Sequence, residues 1–404
     1  MFRIIIWPVL LSVLVLAGEV RAAASPPVIS VVKKGTDKNS VSFDALKAPG
    51  ANGRLFVATL QNDLKLAGWF EISAVGRGGS VALSGQVSDV GNGIQSALRV
   101  SWPGKAFNWS KVSTGREEIR RQAHTLADEM VRLIAGQKGI ASTKIVFVNR
   151  RAPNNADVYM CDADGHNMMQ LTKDQVAAVG PRWAPNGRDI FYTSFIRGYP
   201  EIYRLIDYGR SRKNLAPFKG LNTGAAVSPD GTQIALILSY QGNPELYVLR
   251  IANGQLTRMT NSSRGAEASP CWSPDGRSIV YVSDVAKTPQ LYIVNVASRQ
   301  SQRKTYRGGE NVNPDWSAQG RIVYATKGAG GWQIATFDPV VGEESSRVLV
   351  TTAGGYEHPS WAADGRHIVC SRSSALYILD TLGDPAVRLT NISGNWMSPD
   401  WSDR

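Results

Sequence analysis

The 404-residue sequence is short of the residues that most often do chemistry. It has four histidines and three cysteines. Cys161, Cys271 and Cys370 are odd in number, and each sits in an apolar strand pattern. That excludes a disulfide framework and fits buried free thiols; one bridge stays open, without a choice of pair. The histidines, His124, His166, His358 and His367, are scattered, and no H-E-x-x-H, C-x-x-C or G-x-S-x-G stretch occurs. Zincin, thiol-redox and serine-hydrolase motifs are therefore missing. Asp162, Asp164 and Gly165 resemble the start of a calcium loop, but its twelfth position is Lys173, so a strand-connecting turn is the better reading. The net charge is +12, yet no Lys/Arg cluster of nucleic-acid type accompanies it.

Long apolar runs are missing too, except at the start. Arg3 precedes an apolar stretch from Ile4 to Ala17, and small residues follow at Ala22, Ala23 and Ala24. This is the order of a secretory signal peptide over residues 1–24, and the core is shorter than the roughly 20 residues a spanning helix needs. No cysteine follows the cleavage region to carry a lipid. The expected mature protein is exported and soluble, with no transmembrane segment once the signal is removed.

What the sequence does have is a repeat. PRWAPNGRDIFY, AAVSPDGTQIAL, PCWSPDGRSIVY, PDWSAQGRIVY, PSWAADGRHIV and PDWSDR align on Trp183, Val227, Trp272, Trp316, Trp361 and Trp401, at intervals of 44, 45, 44, 45 and 40 residues. A second series, DVYMCD, EIYRLI, ELYVLR, QLYIVN, WQIATF and ALYILD, runs alongside it, with Tyr159, Tyr203, Tyr247, Tyr292, Ile334 and Tyr377 in equivalent places. Pro-Asp-Gly between alternating apolar runs is a tight turn between two strands. Four strand signals in about 44 residues is the period of a β-propeller blade. Residues 139–404 are expected to form six blades. The first unit lacks its tryptophan strand and the chain's end supplies one, so the last strand should close the ring. The tryptophans read as core between neighbouring sheets.

Residues 25–138 do not repeat and read as a small α/β domain. Phe56, Leu60 and Leu64 share a helical face that ends near Gly68, and a hairpin is expected around Gly91, Asn92 and Gly93. Ile119, Ala123, Leu126, Met130 and Ile134 form the stripe of a second helix. Thr114 and Glu117 suit a capping box at its start, and Gly136 suits its end.

The loops entering the innermost strands are rich in glycine and polar residues and should open on one face around the channel. Loops on a rigid ring are where such folds bind partners. No catalytic, cofactor or metal residues stand out, so an enzyme is not expected.

Signal peptide, α/β domain and six-bladed propeller in this order resemble the TolB family of the Tol–Pal envelope system. The most specific stretch is AHTLADEMVRLIAGQKGIASTKIVFV, residues 123–148. The resemblance implies a non-enzymatic scaffold whose propeller face binds Pal, a peptidoglycan-associated lipoprotein. It also implies an N-terminal domain that works with TolA, in keeping the outer membrane intact and constricted at division. The start of the mature chain, SPPVISVVKKGTDKNS, is basic and departs from the family's TolA-signalling segment. Carried onto this sequence, the Pal-facing positions are Asn222, Thr223, Gly224, Glu267, Ala268, Ser269, Asn311 and Glu357. The same loops add Asn313, His358 and Asn395. Substitutions such as Glu267→Lys or Asn311→Arg are expected to weaken Pal binding with the ring still folded. A monomer is expected, with no nucleic acid and no cofactor. The competing readings are a lactonase-like hydrolase with a metal in its channel and a propeller that binds peptidoglycan directly.

Overall fold

Where Pro-Asp-Gly and its variants interrupt the alternating runs, the chain turns back on itself. Ser228 and Ser273 each hydrogen-bond the turn aspartate two residues on, at 2.5 and 2.6 Å. The computed structural model describes residues 38–216, 218–349, 354–389 and 394–403. The expected signal peptide lies outside these residues. Among them no helix is long and apolar enough to cross a membrane.

Six four-stranded antiparallel sheets follow one another along the chain. Blade two runs Ala178–Trp183, Ile190–Ser194, Glu201–Ile206 and Ser211–Ala216. The inner strands of blades three to six are Asn222–Val227, Glu267–Trp272, Asn311–Trp316 and Tyr356–Trp361. Blade one takes its inner strand from the end of the chain: Trp396–Trp401 pairs with Lys144–Ala152, which pairs with Asn155–Asp162. Ring closure by the last strand is as the repeat predicts. Trp183, Trp272, Trp361 and Trp401 are buried core, while Trp316 is half-buried against it. Trp272 packs with residues of two sheets, and its Nε1 donates to Ala226 O of the preceding blade at 2.9 Å. All three cysteines are free.

The domain before the ring has the order β1 (Asn39–Lys47), α1 (Ala51–Leu66), β2 (Phe70–Ile72), β3 (Val81–Val90), β4 (Gly93–Trp102), β5 (Lys105–Thr114) and α2 (Arg116–Met130). Its sheet order is β2-β1-β3-β4-β5. The β3–β4 hairpin and both helical stripes match the sequence reading, while β1 and β5 were not expected from it. Phe56, Leu60 and Leu64 of α1 and Ile119, Ala123, Leu126 and Met130 of α2 are fully buried in one core. The expected capping box is not formed. Thr114 is the last residue of β5, paired with Gly93, and the cap is Gly115 at φ +82° with no side-chain bond. The cap of α1 comes instead from across the sheet, where Asp89 accepts the N–H of Gly53 at 2.8 Å and of Asn52 at 3.1 Å. A π-turn over Val131–Ala135 extends α2, and Gly136 at φ +67° ends it, as its left-handed freedom suits.

Candidate ligand-binding face and channel

Each inner strand is a hexad: AVGPRW, NTGAAV, EASPCW, NVNPDW, YEHPSW and WMSPDW. The third residue is left-handed in all six, with φ between +47° and +69° at Gly180, Gly224, Ser269, Asn313, His358 and Ser398. The ladder to the second strand shifts register at the same place every time. Each inner strand thus carries a β-bulge, which bends it and re-aims the residues that follow. At Gly224 a Cβ would also meet Pro270 Cδ at 2.9 Å, so glycine suits both φ and space.

The fifth residues meet across the ring. Arg182 of blade two reaches Asp400 Oδ1 of blade one at 2.7 Å and Asp315 Oδ1 of blade five at 3.1 Å. Asp400 Oδ2 takes the N–H of Trp183, and Asp315 Oδ2 takes the N–H of Trp361, both at 2.7 Å. Ser360 Oγ donates to Asp400 and accepts the N–H of Trp401. Cys271 Sγ lies 3.4 Å from Asp315. Burial pushes the Asp400 carboxyl up to about 6, against the pull of Arg182. Sequence reading missed this network; its only local trace is a charge before the tryptophan in PRW, PDW and PDW.

At the strand entrances, side chains fasten loops rather than face solvent. Asn222 is fully buried, and its Nδ2 donates to the carbonyls of Pro200, Phe218 and Gly220 at 2.7–3.1 Å. Asn311 Nδ2 donates to Gln290 Oε1 and Arg307 O, both at 2.8 Å. The backbone N–H of Glu267 and of Asn311 donates to Pro244 O and Pro289 O at 2.9 Å. The loop between the second and third strands of one blade is thereby tied to the entrance of the next, which puts both loop sets on one face. Glu267 is 5% exposed, and burial pushes its carboxyl up to about 7, partly opposed by a hydrogen bond with Ser283. Glu357 and His358 are half-buried; burial lowers the His358 imidazole to about 4, helped by the charges of Arg182 and Arg150. Thr223, Gly224, Ser269, Asn313 and Asn395 are also half-buried, and Ala268 is exposed. Because Asn222, Glu267 and Asn311 are buried, Glu267→Lys and Asn311→Arg would strain the ring itself, which corrects the expectation that they report on docking alone.

The buried Glu267 gives a test with a definite sign. Its raised pKa means that ionising it costs stability as pH rises from the ordinary carboxylate range through about 7. Glu267→Gln is expected to gain about 1–2 kcal/mol at pH 8 and nothing at pH 4. Thermal unfolding at the two pH values checks this; equal midpoints for variant and parent at pH 8 would contradict it.

Exposed side chains of this face lie on the outer loops as well. Ile196, Tyr199, Tyr240 and Val285 are 37–47% exposed, in the connections between second and third strands of blades two to four. Tyr240 stacks on Phe218 with centroids 5.7 Å apart. Arg197, Lys219, Arg264 and Lys287 are exposed on the same loops and entrances. The α/β domain docks on the opposite face. There Arg366, in the first turn of blade six, donates to Gly68 O at 3.3 Å and lies 4.3 Å from the Trp69 ring.

A cleft of about 310 Å³ in the α/β domain is lined by Phe43, Leu46, Val57 and Gln61 among others, with no carboxylate or nucleophile. One cluster among the described residues has metal-ligand spacing: Asp63, His124 and Asp164. Arg120 already pairs with Asp164, and His124 Nδ1 lies 2.7 Å from Asp63 Oδ2. The carboxylates there are matched by the protein's own cations.

Residues 131–404 match the family described as the TolB beta propeller domain. The Tol-Pal system protein TolB of Gluconobacter oxydans is 31% identical over 307 residues, covering 74% of this chain and 66% of that protein. The protein TolB homolog of Chlorobium luteolum is 29% identical over 162 residues, 40% of this chain and 36% of its own. The homolog of Chlorobaculum tepidum is 28% identical over 261 residues, 59% of each. The chain thus spans from about a third to about two thirds of these relatives' lengths. Among solved structures, TolB from Acinetobacter baumannii superposes with a TM-score of 0.78 at 23% identity, covering 91% of this chain and 97% of that one. A nidogen/laminin complex reaches 0.53 at 9% identity, over 64% of this chain and 98% of that one. At these identities the structural likenesses establish the fold.

Proposed function

This chain belongs to the TolB family, and on that premise we propose that it is a non-enzymatic periplasmic scaffold of the Tol–Pal system. In this reading it binds the Pal lipoprotein through the loop face of its propeller. TolA is its further partner, and the outcome is an outer membrane kept intact and constricted at division. The observation that carries the reading is the loop face itself. Entrance loops are pinned by buried asparagines and prolyl carbonyls, which pre-orders the surface and lowers the entropy lost on docking. Half-buried Thr223, Gly224, Ser269, Asn313, Glu357, His358 and Asn395, with exposed Ala268, line the inner part of that surface. Around them stand aromatic and aliphatic side chains beside cations, the mixture that anchors protein interfaces.

Calorimetric titration of the mature chain with the soluble Pal domain from the same organism tests this. Saturable one-to-one binding is expected. Tyr240→Glu or Val285→Asp, both at exposed positions, should weaken it by roughly tenfold or more with little change in thermal midpoint. Absence of binding, or unchanged affinity in both variants, would reject the face.

A further inference from the structure

The seam between α2 and blade one is a line of buried charges. Arg120, His124 and Asp128 stand one helical turn apart on one side of α2. Arg120 bonds Thr59 Oγ1 of α1 at 3.0 Å and pairs with Asp164, whose side chain is 1% exposed, in the turn after the third strand of blade one. Asp128 accepts the backbone N–H of Ala141 and Ser142 in the linker, at 2.8 and 3.0 Å. Between them His124 touches both domains. Its Nδ1 lies 2.7 Å from Asp63 Oδ2 of α1, and its Nε2 lies 3.8 Å from Asp162 Oδ2 of the propeller. Asp162 is also held by Lys144 Nζ and Asn167 Nδ2, both at 2.6 Å, and His166 flanks Asp164 at 3.4 Å on the exposed rim.

Charge balance decides the state of the imidazole. Asp63, Asp162 and Asp164 against Arg120 and Lys144 leave one negative charge in a buried seam. An uncompensated buried charge is costly, and a proton on His124 cancels it. Burial alone would lower the imidazole, but the carboxylates of Asp162 and Asp63 outweigh it and push it up to about 9. Burial likewise lifts Asp63 to about 6, although His124 pulls the other way. Both ring nitrogens then carry hydrogens, one aimed at each domain. His124 Nε2 and Asp63 Oδ1 are buried without a hydrogen-bond partner, so the imidazole reaches blade one through charge across a 3.8 Å gap.

We propose that His124 is a proton-held latch that fastens the α/β domain to blade one of the propeller, and that losing the proton undocks the domains while each stays folded. A second clamp, in which Arg366 pairs with Asp380, donates to Gly68 O and lies against Trp69, serves as the hinge. His367 beside it is engaged within the propeller, 2.6 Å from Asp364. The sign follows from the raised imidazole: the latch is fully present below the ordinary histidine range and is lost as pH rises through about 9.

Scanning calorimetry of the mature chain between pH 7 and 10 is the test. At pH 7 the parent should unfold in one transition and His124→Gln in two, the docking equilibrium being weaker by roughly 10- to 100-fold. By pH 10 the parent should split in the same way, so that parent and variant converge. If the glutamine variant does not fold, the parent's own pH series and Asp162→Asn, which should split at pH 7, carry the test. One unsplit transition in the parent at every pH would overturn the latch. So would a parent–variant difference undiminished at pH 10. Stoichiometric zinc binding that requires His124 would overturn it in favour of a metal site.

Discussion

Arg182→Ala is expected to lower stability by about 3 kcal/mol and the thermal midpoint by roughly 5–10 °C. Removing the guanidinium leaves Asp315 and Asp400 facing the same channel without their shared cation. Breaking one partner out of a buried ion pair typically costs about 3–5 kcal/mol. The Arg182 side chain keeps 23% of its surface open to the channel, so the lower end of that range applies. The two aspartates cannot relax freely, because they also accept the N–H groups of Trp183 and Trp361, which start the turns of blades two and six. The defect should depend on pH in a stated direction. Burial already lifts Asp400 to about 6, and losing Arg182 lifts it further, so protonation relieves the variant at pH 5 more than at pH 8. Adding Asp400→Asn to Arg182→Ala should recover part of the loss. Equal midpoints for Arg182→Ala and the parent at pH 8 would show that the network holds nothing together.

The same network shows where the sequence was readable. Blade count, strand order and ring closure were legible because each is repeated: Trp272 and Trp361 meet the same requirement 89 residues apart. The bulge was not legible. Its left-handed residue is glycine, serine, asparagine or histidine in different blades, and register is a property of two strands. Arg182 finds Asp315 133 residues on and Asp400 218 residues on, separations at which no local pattern speaks. Asp162 and Asp164 read as an ordinary turn, and so they are; their partners Arg120 and His124 lie on a helix of the other domain. For the loop face, position along the hexad was predictable but exposure was not. Asn222 and Asn311 look like surface residues until their Nδ2 atoms are seen closing loops. The strands β1 and β5 went unread because β1 lies beside parallel partners and β5 is a largely exposed edge, so neither has the clean alternation of a half-buried strand.

The largest effect is expected from removing the last strand. Deleting residues 394–404 takes away the inner strand of blade one, and with it four attachments. Trp396 is lost from its edge-on contacts with Phe147 and Tyr159, each 5.4 Å between centroids. Trp401 no longer bonds Thr143 Oγ1 at 2.7 Å, and truncating such a buried tryptophan alone costs about 3–5 kcal/mol. Asp400 leaves the N–H and Nε1 of Trp183 unpaired in a buried wall, at about 1–3 kcal/mol per group. The strand Lys144–Ala152 becomes an open edge facing the channel, a template for pairing with other chains. Together these match or exceed the 5–15 kcal/mol by which domains of this kind are stable. The shortened chain should therefore show no cooperative unfolding and should aggregate, whereas Trp401→Ala alone should fold with a lowered midpoint. Supplying residues 394–404 as a peptide should restore part of the transition in a concentration-dependent way, because closure is then a binding step. A shortened chain with the parent's midpoint would mean that the ring is held by its other five seams, and that the final strand is decoration.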